Sequence, residues 1–290
     1  MSLSKINPKN TEAWKMLIKK RKEIAGIQII DLFDSSKNRI EKFSIEFDNM
    51  FLDFSKNIIN DETFELLLKL CEDCELKKNI KSLFNGEKIN ETENRSVLHT
   101  ALRDFNLSSE IGKELLSDRQ KIEKFTNDIL SGKTRGSTNK KITDIVNVGI
   151  GGSDLGPNMV VESLKFYKTY LNCHFVSNVD GDHLQEVLKL VDPETTVFII
   201  VSKTFTTQET LTNAKKIKEF LVSRSIEDIS KHFIGVTSNI KSAVEFGLDK
   251  NNIFKMYDFV GGRFSVWGSV GLSVSLLSLI HISEPTRPYL

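Results

Sequence analysis

The sequence has 290 residues, of which 39% are hydrophobic and 27% are charged, a composition typical of a folded protein and not of a disordered one. Its 40 basic and 39 acidic residues are intermixed and give a net charge of +1, which argues against nucleic acid or an anionic membrane as a partner. The start of the chain shows no signal-peptide pattern, and no run of about 18 apolar residues could span a bilayer. We therefore expect a cytoplasmic location.

The segment 1–130 repeatedly shows the helical period of apolar residues, as in TEAWKMLIKKRKEI and SSEIGKELLSDRQKIEKFTNDIL. Within it, the alternation in KFSIEFDNMFLDFS predicts a small strand or hairpin. Cys71 and Cys74 lie on a predicted helix without a second pair of metal ligands, so we interpret them as structural thiols. The pattern predicts a mostly helical N-terminal region with no metal site.

A polar stretch at 131–141, SGKTRGSTNKK, contains glycines, hydroxyl residues and basic residues but no apolar side chain, as expected of an exposed linker. We predict a domain boundary there. Over 142–275, the short apolar runs DIVNVGI, CHFVSNV, TTVFIIV, HFIGVT and NIFKMYDFV alternate with helical stretches. Such alternation indicates βαβ units and a parallel sheet with helices on both faces.

A glycine-rich string at 148–157, VGIGGSDLGP, follows the first of these runs and precedes a helical stretch. Glycines let the backbone approach a ligand, and a helix N-terminus favours an anion. The pattern fits either a phosphate loop containing Gly152 and Ser153 or a tight turn in which Ser153 caps the helix. A dinucleotide-binding oxidoreductase is disfavoured because Asp154 stands where its fingerprint needs glycine.

A hydroxyl-rich string at 202–210, SKTFTTQET, directly follows the run TTVFIIV. Short hydroxyl groups and a lysine at the carboxyl end of a parallel strand are well placed to hold a phosphate group. The alternative is a capping box in which Thr206 caps the next helix and Glu209 reaches back. The density of hydroxyl groups favours phosphate binding.

A third string at 260–269, VGGRFSVWGS, places Arg263 after two glycines. Its fixed charge could stabilise a developing oxyanion, and the alternative is a solvated arginine on a surface turn. His99 and His183 each lie at the edge of a helical pattern with no nucleophile nearby, so we interpret both as structural.

Together these strings, with 85–90, 95–103, 177–181 and 192–196, resemble the glucose-6-phosphate isomerase family. The resemblance implies a three-layer αβα sandwich of the sugar isomerase type with a mainly parallel five-stranded sheet. It implies interconversion of glucose 6-phosphate and fructose 6-phosphate, in glycolysis and gluconeogenesis, without a cofactor, by a homodimer. The residues that it places on the substrate are Gly152, Ser153, Ser202, Lys203, Thr204, Phe205, Thr206 and Thr207, with Arg263 beside the enediolate intermediate as the catalytic residue.

In that family the acid–base glutamate, histidine and lysine belong to the C-terminal half, which these 290 residues do not include. We therefore expect this chain to be truncated and inactive alone. The string LLSLIHISEPTRPYL, over 276–290, departs from the family pattern, and we expect this atypical tail not to be native. The competing hypothesis is a non-catalytic sensor domain that binds a sugar phosphate.

Overall fold

The computed structural model describes residues 3, 5–103, 109–167 and 170–279. The chain forms two compact units, Met1–Asn94 and Arg95–Leu290. No helix in the described part of the chain has both the length and the apolar content needed to cross a bilayer.

The first unit is built from helices and one hairpin, as the sequence predicts. Its helices are α1 (Glu12–Glu23), α2 (Ile29–Asp34), α3 (Arg39–Lys42), α4 (Asp61–Asp73) and α5 (Leu76–Phe84), and its antiparallel strands are β1 (Ser44–Phe47) and β2 (Met50–Asp53). The rings of Phe43, Phe54 and Phe64 pack together beside the hairpin. The buried Arg39 guanidinium donates to the carbonyl oxygens of Ser55, Asn57 and Ile59, which fixes the chain after β2.

The second unit is a parallel sheet with helices on both faces, which confirms the predicted α/β class. Its strands, in the spatial order β4-β3-β5-β6-β7, are β3 (Asp144–Gly149), β4 (Asn172–Val176), β5 (Thr196–Val201), β6 (Phe233–Thr237) and β7 (Ile253–Lys255). Its helices are α6 (Glu110–Leu130), α7 (Gly152–Ser163), α8 (Gly181–Leu190), α9 (Gln208–Ser223), α10 (Ile240–Phe246) and α11 (Leu272–Val274).

Alternate residues of the central strands enter two separate cores, which is why these strands read as continuous apolar runs. On one face, Ile145 and Ile199 pack with residues of α6, α7 and α11. On the other face, Val146, Phe198 and Ile200 pack with residues of α8, α9 and α10. The result is the three-layer αβα arrangement that the sequence predicts.

The packing of α6 bears on the domain organisation. Ile129 of α6 is 1% exposed in the core of the second unit, so this unit begins before the predicted linker at 131–141. The linker itself is mostly exposed, with Gly132 and Gly136 buried. The domain boundaries stay a prediction, and residues 280–290 of the predicted tail lie outside the described residues.

Candidate functional site at the carboxyl edge of the sheet

The glycine-rich and hydroxyl-rich strings both follow central strands. β3 and β5 are parallel neighbours, and their last residues, Gly149 and Val201, are paired in register. The two following loops therefore leave the same edge of the sheet side by side. The connections from these strands run in opposite directions, since β4 lies beyond β3 and β6 lies beyond β5. Open α/β sheets bind their ligands in the crevice at such a point.

The glycine-rich loop packs directly against the arginine turn, which we define as residues 258–263. A Cβ atom on Gly152 would lie 2.6 Å from the carbonyl oxygen of Gly262, so no larger residue fits at 152 without displacing the turn. Gly262 itself has a φ of 66°, a conformation that favours glycine. Two segments more than a hundred residues apart in sequence are thus held in backbone contact.

The start of α7 differs from the capping alternative. Gly151 is the N-cap residue and Ser153 lies inside the helix, so the interpretation of Ser153 as an N-cap is wrong. The buried amide of Asn147, on β3, instead donates to the carbonyl oxygen of Ser153 at 3.1 Å. This hydrogen bond therefore links β3 to the first turn of α7.

The hydroxyl-rich loop brings its side chains together before α9. Ser202 Oγ donates to Thr207 Oγ1 at 3.1 Å, and the hydroxyl groups of Thr204 and Thr206 lie 2.7 Å apart. The N-cap of α9 is Thr207, without a capping bond from its side chain, so the predicted capping box led by Thr206 is wrong. The hydroxyl groups are therefore not occupied with capping the helix, whose first N–H groups lack intrahelical partners by geometry.

Phe205 gives this loop its anchor. Its side chain is 3% exposed and packs edge-on against the ring of Phe246, on α10, with the ring centroids 5.8 Å apart. Its φ of 54° is uncommon for a residue other than glycine and turns the chain sharply between the flanking hydroxyl residues. The aromatic side chain thus points into the core, and the neighbouring threonines face outwards.

Lys203 links the hydroxyl-rich loop to the arginine turn. Its Nζ donates to the carbonyl oxygens of Asp258 at 2.8 Å and Val260 at 2.9 Å. Its own carbonyl oxygen accepts from the hydroxyl groups of Thr237, at 3.0 Å, and Ser238, at 2.6 Å, at the end of β6. Hydrogen bonds thereby fix both the ammonium group and the backbone carbonyl group of Lys203.

His99 supports the same turn from another direction. Its Nε2 lies 3.0 Å from the backbone nitrogen and 2.8 Å from the carbonyl oxygen of Gly261. Next to it, the backbone N–H of Leu98 donates to the carbonyl oxygen of Phe259 at 3.0 Å. These contacts agree with the structural interpretation of His99, but the sequence did not reveal that the histidine supports the arginine turn. The one available signal was the resemblance over 95–103.

The electrostatics of the edge favour an anion. Lys203 and Arg263 supply fixed positive charge, and α7 and α9 both begin here. Asp154, in the first turn of α7, is 5% exposed, and its Oδ1 has no hydrogen-bond partner among the described residues. Burial raises the pKa of this carboxyl group above that of an exposed aspartate.

The three predicted strings thus form one candidate site. The glycine-rich loop touches the arginine turn through Gly152, and the hydroxyl-rich loop touches it through Lys203. Such an edge can hold a phosphate group with hydroxyl and backbone N–H groups and can set an arginine beside the rest of the ligand. These features define a parallel α/β domain with a candidate anion site at the carboxyl edge of its sheet.

Comparison with known proteins gives the family. The model of the phosphoglucose isomerase family matches residues 53–281. A glucose-6-phosphate isomerase from Christiangramia forsetii is 52% identical over an alignment of 281 residues, and the match covers 94% of this chain and 52% of the relative. The crystal structure of a glucose-6-phosphate isomerase from Chlamydia trachomatis superposes with a TM-score of 0.79 at 26% identity, over 94% of this chain and 53% of that one.

The chain belongs to the phosphoglucose isomerase family. The structural match also confirms the predicted fold of the sugar isomerase type. The chain spans about half the length of these relatives.

Proposed function

We propose that this chain supplies the half of a glucose-6-phosphate isomerase that binds the sugar phosphate and stabilises the charge of the intermediate. Membership of the family supports the reaction, and the convergence of the three strings on one edge supports the site. The proposed substrates are glucose 6-phosphate and fructose 6-phosphate, the reaction being the aldose–ketose interconversion of glycolysis and gluconeogenesis.

In this proposal, the hydroxyl-rich loop holds the 6-phosphate. Ser202, Thr204, Thr206 and Thr207 offer hydroxyl groups, which are already gathered within hydrogen-bond distance in pairs. The start of α9 adds N–H groups and the positive end of a helix dipole. Phe205 keeps the loop in shape from the core, while Lys203 adds positive charge and holds the arginine turn.

The glycine-rich loop and Arg263 would contact the sugar. The backbone of Gly152 and the side chain of Ser153 would contact the sugar from the start of α7. Arg263 would stabilise the negative charge of the cis-enediolate, a charge that develops only after a proton leaves carbon. Interactions of this kind raise the turnover number more than they tighten substrate binding.

Proton transfer between C1 and C2 requires a carboxylate base, and ring opening requires further acid–base groups. The resemblance assigns these groups to segments outside the 290 residues. We therefore propose that the 290-residue chain alone has isomerase activity near background, because loss of a general base costs on the order of 100-fold to 10,000-fold. The homodimer and the cytoplasmic location stay predictions.

Calorimetric titration of the 290-residue chain with glucose 6-phosphate tests the phosphate loop. Thr207→Val should weaken binding about tenfold, since it removes a hydrogen bond to a charged group. Thr212→Val is the matched control, because Thr212 is an exposed threonine on the same helix and should leave binding unchanged. Equal affinity in both variants would remove the phosphate loop from the proposal.

Activity separates the enzyme from the sensor hypothesis. The measurement uses a fusion of this chain to the part of the C. forsetii relative that lies beyond the matched segment, which we take from the resemblance to be its second half. The proposal predicts isomerase turnover by the fusion and almost none by the chain alone. A fusion that binds glucose 6-phosphate but does not turn it over would favour the sensor.

A further inference from the structure

A cavity lies at the amino edge of the sheet, at the opposite ends of the strands from the candidate site. It has a volume of about 360 Å³, within the size range of pockets that hold small ligands. Its floor is formed by Val197 and Ile234, near the starts of β5 and β6, and by Ile129 of α6. These three side chains belong to one hydrophobic core, so the floor is apolar.

The rim of this cavity is basic. Lys133, Arg135 and Lys231 line it, and no carboxylate does among the described lining residues. We propose that the cavity binds a small organic anion, with its apolar body on the floor and its acidic group at the basic rim. A ligand that contacts both the rim and the floor must carry an acidic group and an apolar group. A purely charged or a purely apolar ligand would contact only one of the two.

The arginine of the rim is held in place before any ligand arrives. Its Nε donates to the carbonyl oxygen of Gly132 at 2.9 Å, and one terminal nitrogen donates to that of Asn139 at 3.0 Å. Carbonyl oxygens orient a guanidinium without neutralising its charge, and no carboxylate among the described residues pairs with Arg135. A pre-positioned charge loses little side-chain entropy on binding.

The loop that carries this arginine is fixed to the sheet by a buried histidine. The backbone N–H of Ser137 donates to His232 Nε2 at 3.0 Å, and His232 Nδ1 donates to the carbonyl oxygen of Thr196 at 2.8 Å. Gly136 fits here only because it lacks a Cβ atom, which would collide with the carbonyl oxygen of Glu194. The wall of the cavity is therefore a defined structure that packs on the strands.

The two lysines of the rim are less constrained. Lys133 Nζ lies 3.3 Å from a carboxylate oxygen of Asp128, and Lys231 Nζ lies 3.8 Å from one of Asp228. The lysine side chains are 71% and 52% exposed, and an ion pair made by an exposed lysine is weak. Both lysines can turn towards an anion in the cavity at little cost.

Phenyl phosphate is a suitable probe, because it joins an aromatic ring to a phosphate group and is small enough for the cavity. We expect titration of the isotope-labelled 290-residue chain to give saturable amide shifts at 133–139 and 231, with a Kd of about 1 mM or tighter. Phenol and inorganic phosphate should each bind at least about tenfold more weakly, because each lacks one half of the interaction. Equally tight binding of inorganic phosphate would contradict the proposal.

Variants locate the effect. The double variant Arg135→Met/Lys231→Met should bind phenyl phosphate at least about tenfold more weakly. Lys231→Met alone should weaken this binding about threefold. Lys216→Met is the matched control, since Lys216 is also an exposed lysine paired with a carboxylate three residues away. Because Lys231 is largely exposed, its single variant keeps the test valid if the double variant fails to fold.

Three results would overturn the inference. The first is that amide shifts are confined to 150–153 and 202–207, which would place the probe at the carboxyl edge. The second is that no shift saturates. The third is that Lys216→Met weakens binding as much as Lys231→Met does.

Discussion

The two edges of the sheet differ in how their loops are held. At the carboxyl edge the loops hold one another, since Gly152 packs on Gly262 and Lys203 bonds to the carbonyl oxygens of the arginine turn. At the amino edge the loop is fixed to the sheet through His232, which directly precedes β6, and Thr196, on β5. A change at the carboxyl edge should therefore pass from one loop to another, whereas a change at the amino edge should act between the loop and the sheet.

The largest expected effect is on turnover. In the fusion with the second half of the C. forsetii relative, Arg263→Ala should lower kcat by about 100-fold, because it removes a charge that acts on the intermediate. Steady-state kinetics should show a much smaller change in KM. Arg224→Ala, at an exposed arginine after α9, is the control and should leave kcat unchanged. A loss confined to KM would reassign Arg263 to substrate binding.

The next effect tests the contact between loops. Gly152→Ala should destabilise the chain by roughly 1–3 kcal/mol, because its Cβ atom would overlap the backbone of Gly262. Gly181→Ala, at the start of α8, meets nothing within 4 Å and should change stability by less than about 0.5 kcal/mol. Chemical denaturation measures both. Equal stability of the two variants would mean that the loops are not held together at 152.

A smaller effect is expected for the lysine that joins the two loops. Lys203→Met should lower stability by about 1 kcal/mol, because two backbone carbonyl oxygens lose a charged donor. It should also increase hydrogen exchange at Gly261 and Gly262, across the contact. The exposed Lys216→Met should do neither. Faster exchange at 202–207 with none at the arginine turn would show that the two loops are independent.

The smallest effect concerns pH at the amino edge. Burial holds the pKa of His232 below its ordinary value of about 6.5. The imidazole of His232 is therefore protonated at a lower pH in the folded chain than in the unfolded chain. The free energy of unfolding should therefore fall as the pH drops below about 6.5, until folded His232 is protonated. Denaturation of His232→Gln should show a smaller fall over this window, and an unchanged slope would contradict this assignment.

The sequence predicted the elements whose pattern is local. β3 and β5 are continuous apolar runs because both of their faces are buried, and the hairpin of β1 and β2 shows the alternation of strands. The resemblance to a known family supplied the roles expected of the three strings. The meeting of the glycine-rich and hydroxyl-rich loops follows from one rule, that loops after parallel neighbours leave the same edge of the sheet.

Other features depend on contacts that a sequence pattern does not encode. The bonds from Lys203 to residues more than fifty positions away could not be predicted, nor could the contact of His99 with Gly261. The predicted N-cap of α9, Thr206, is wrong by one residue, because Thr206 and Thr207 are equally suitable residue types. The sequence does not show that the chain turns at Phe205, whose φ is 54°. The cavity at the amino edge arises from segments that carry no motif.

The most direct test of the central claim maps glucose 6-phosphate on the isotope-labelled 290-residue chain. If the three strings form one sugar-phosphate site, amides at 151–153, 202–207 and 261–263 should shift together and saturate with a single Kd. Shifts in only one of these segments, or different Kd values among them, would contradict the account of the carboxyl edge as one site.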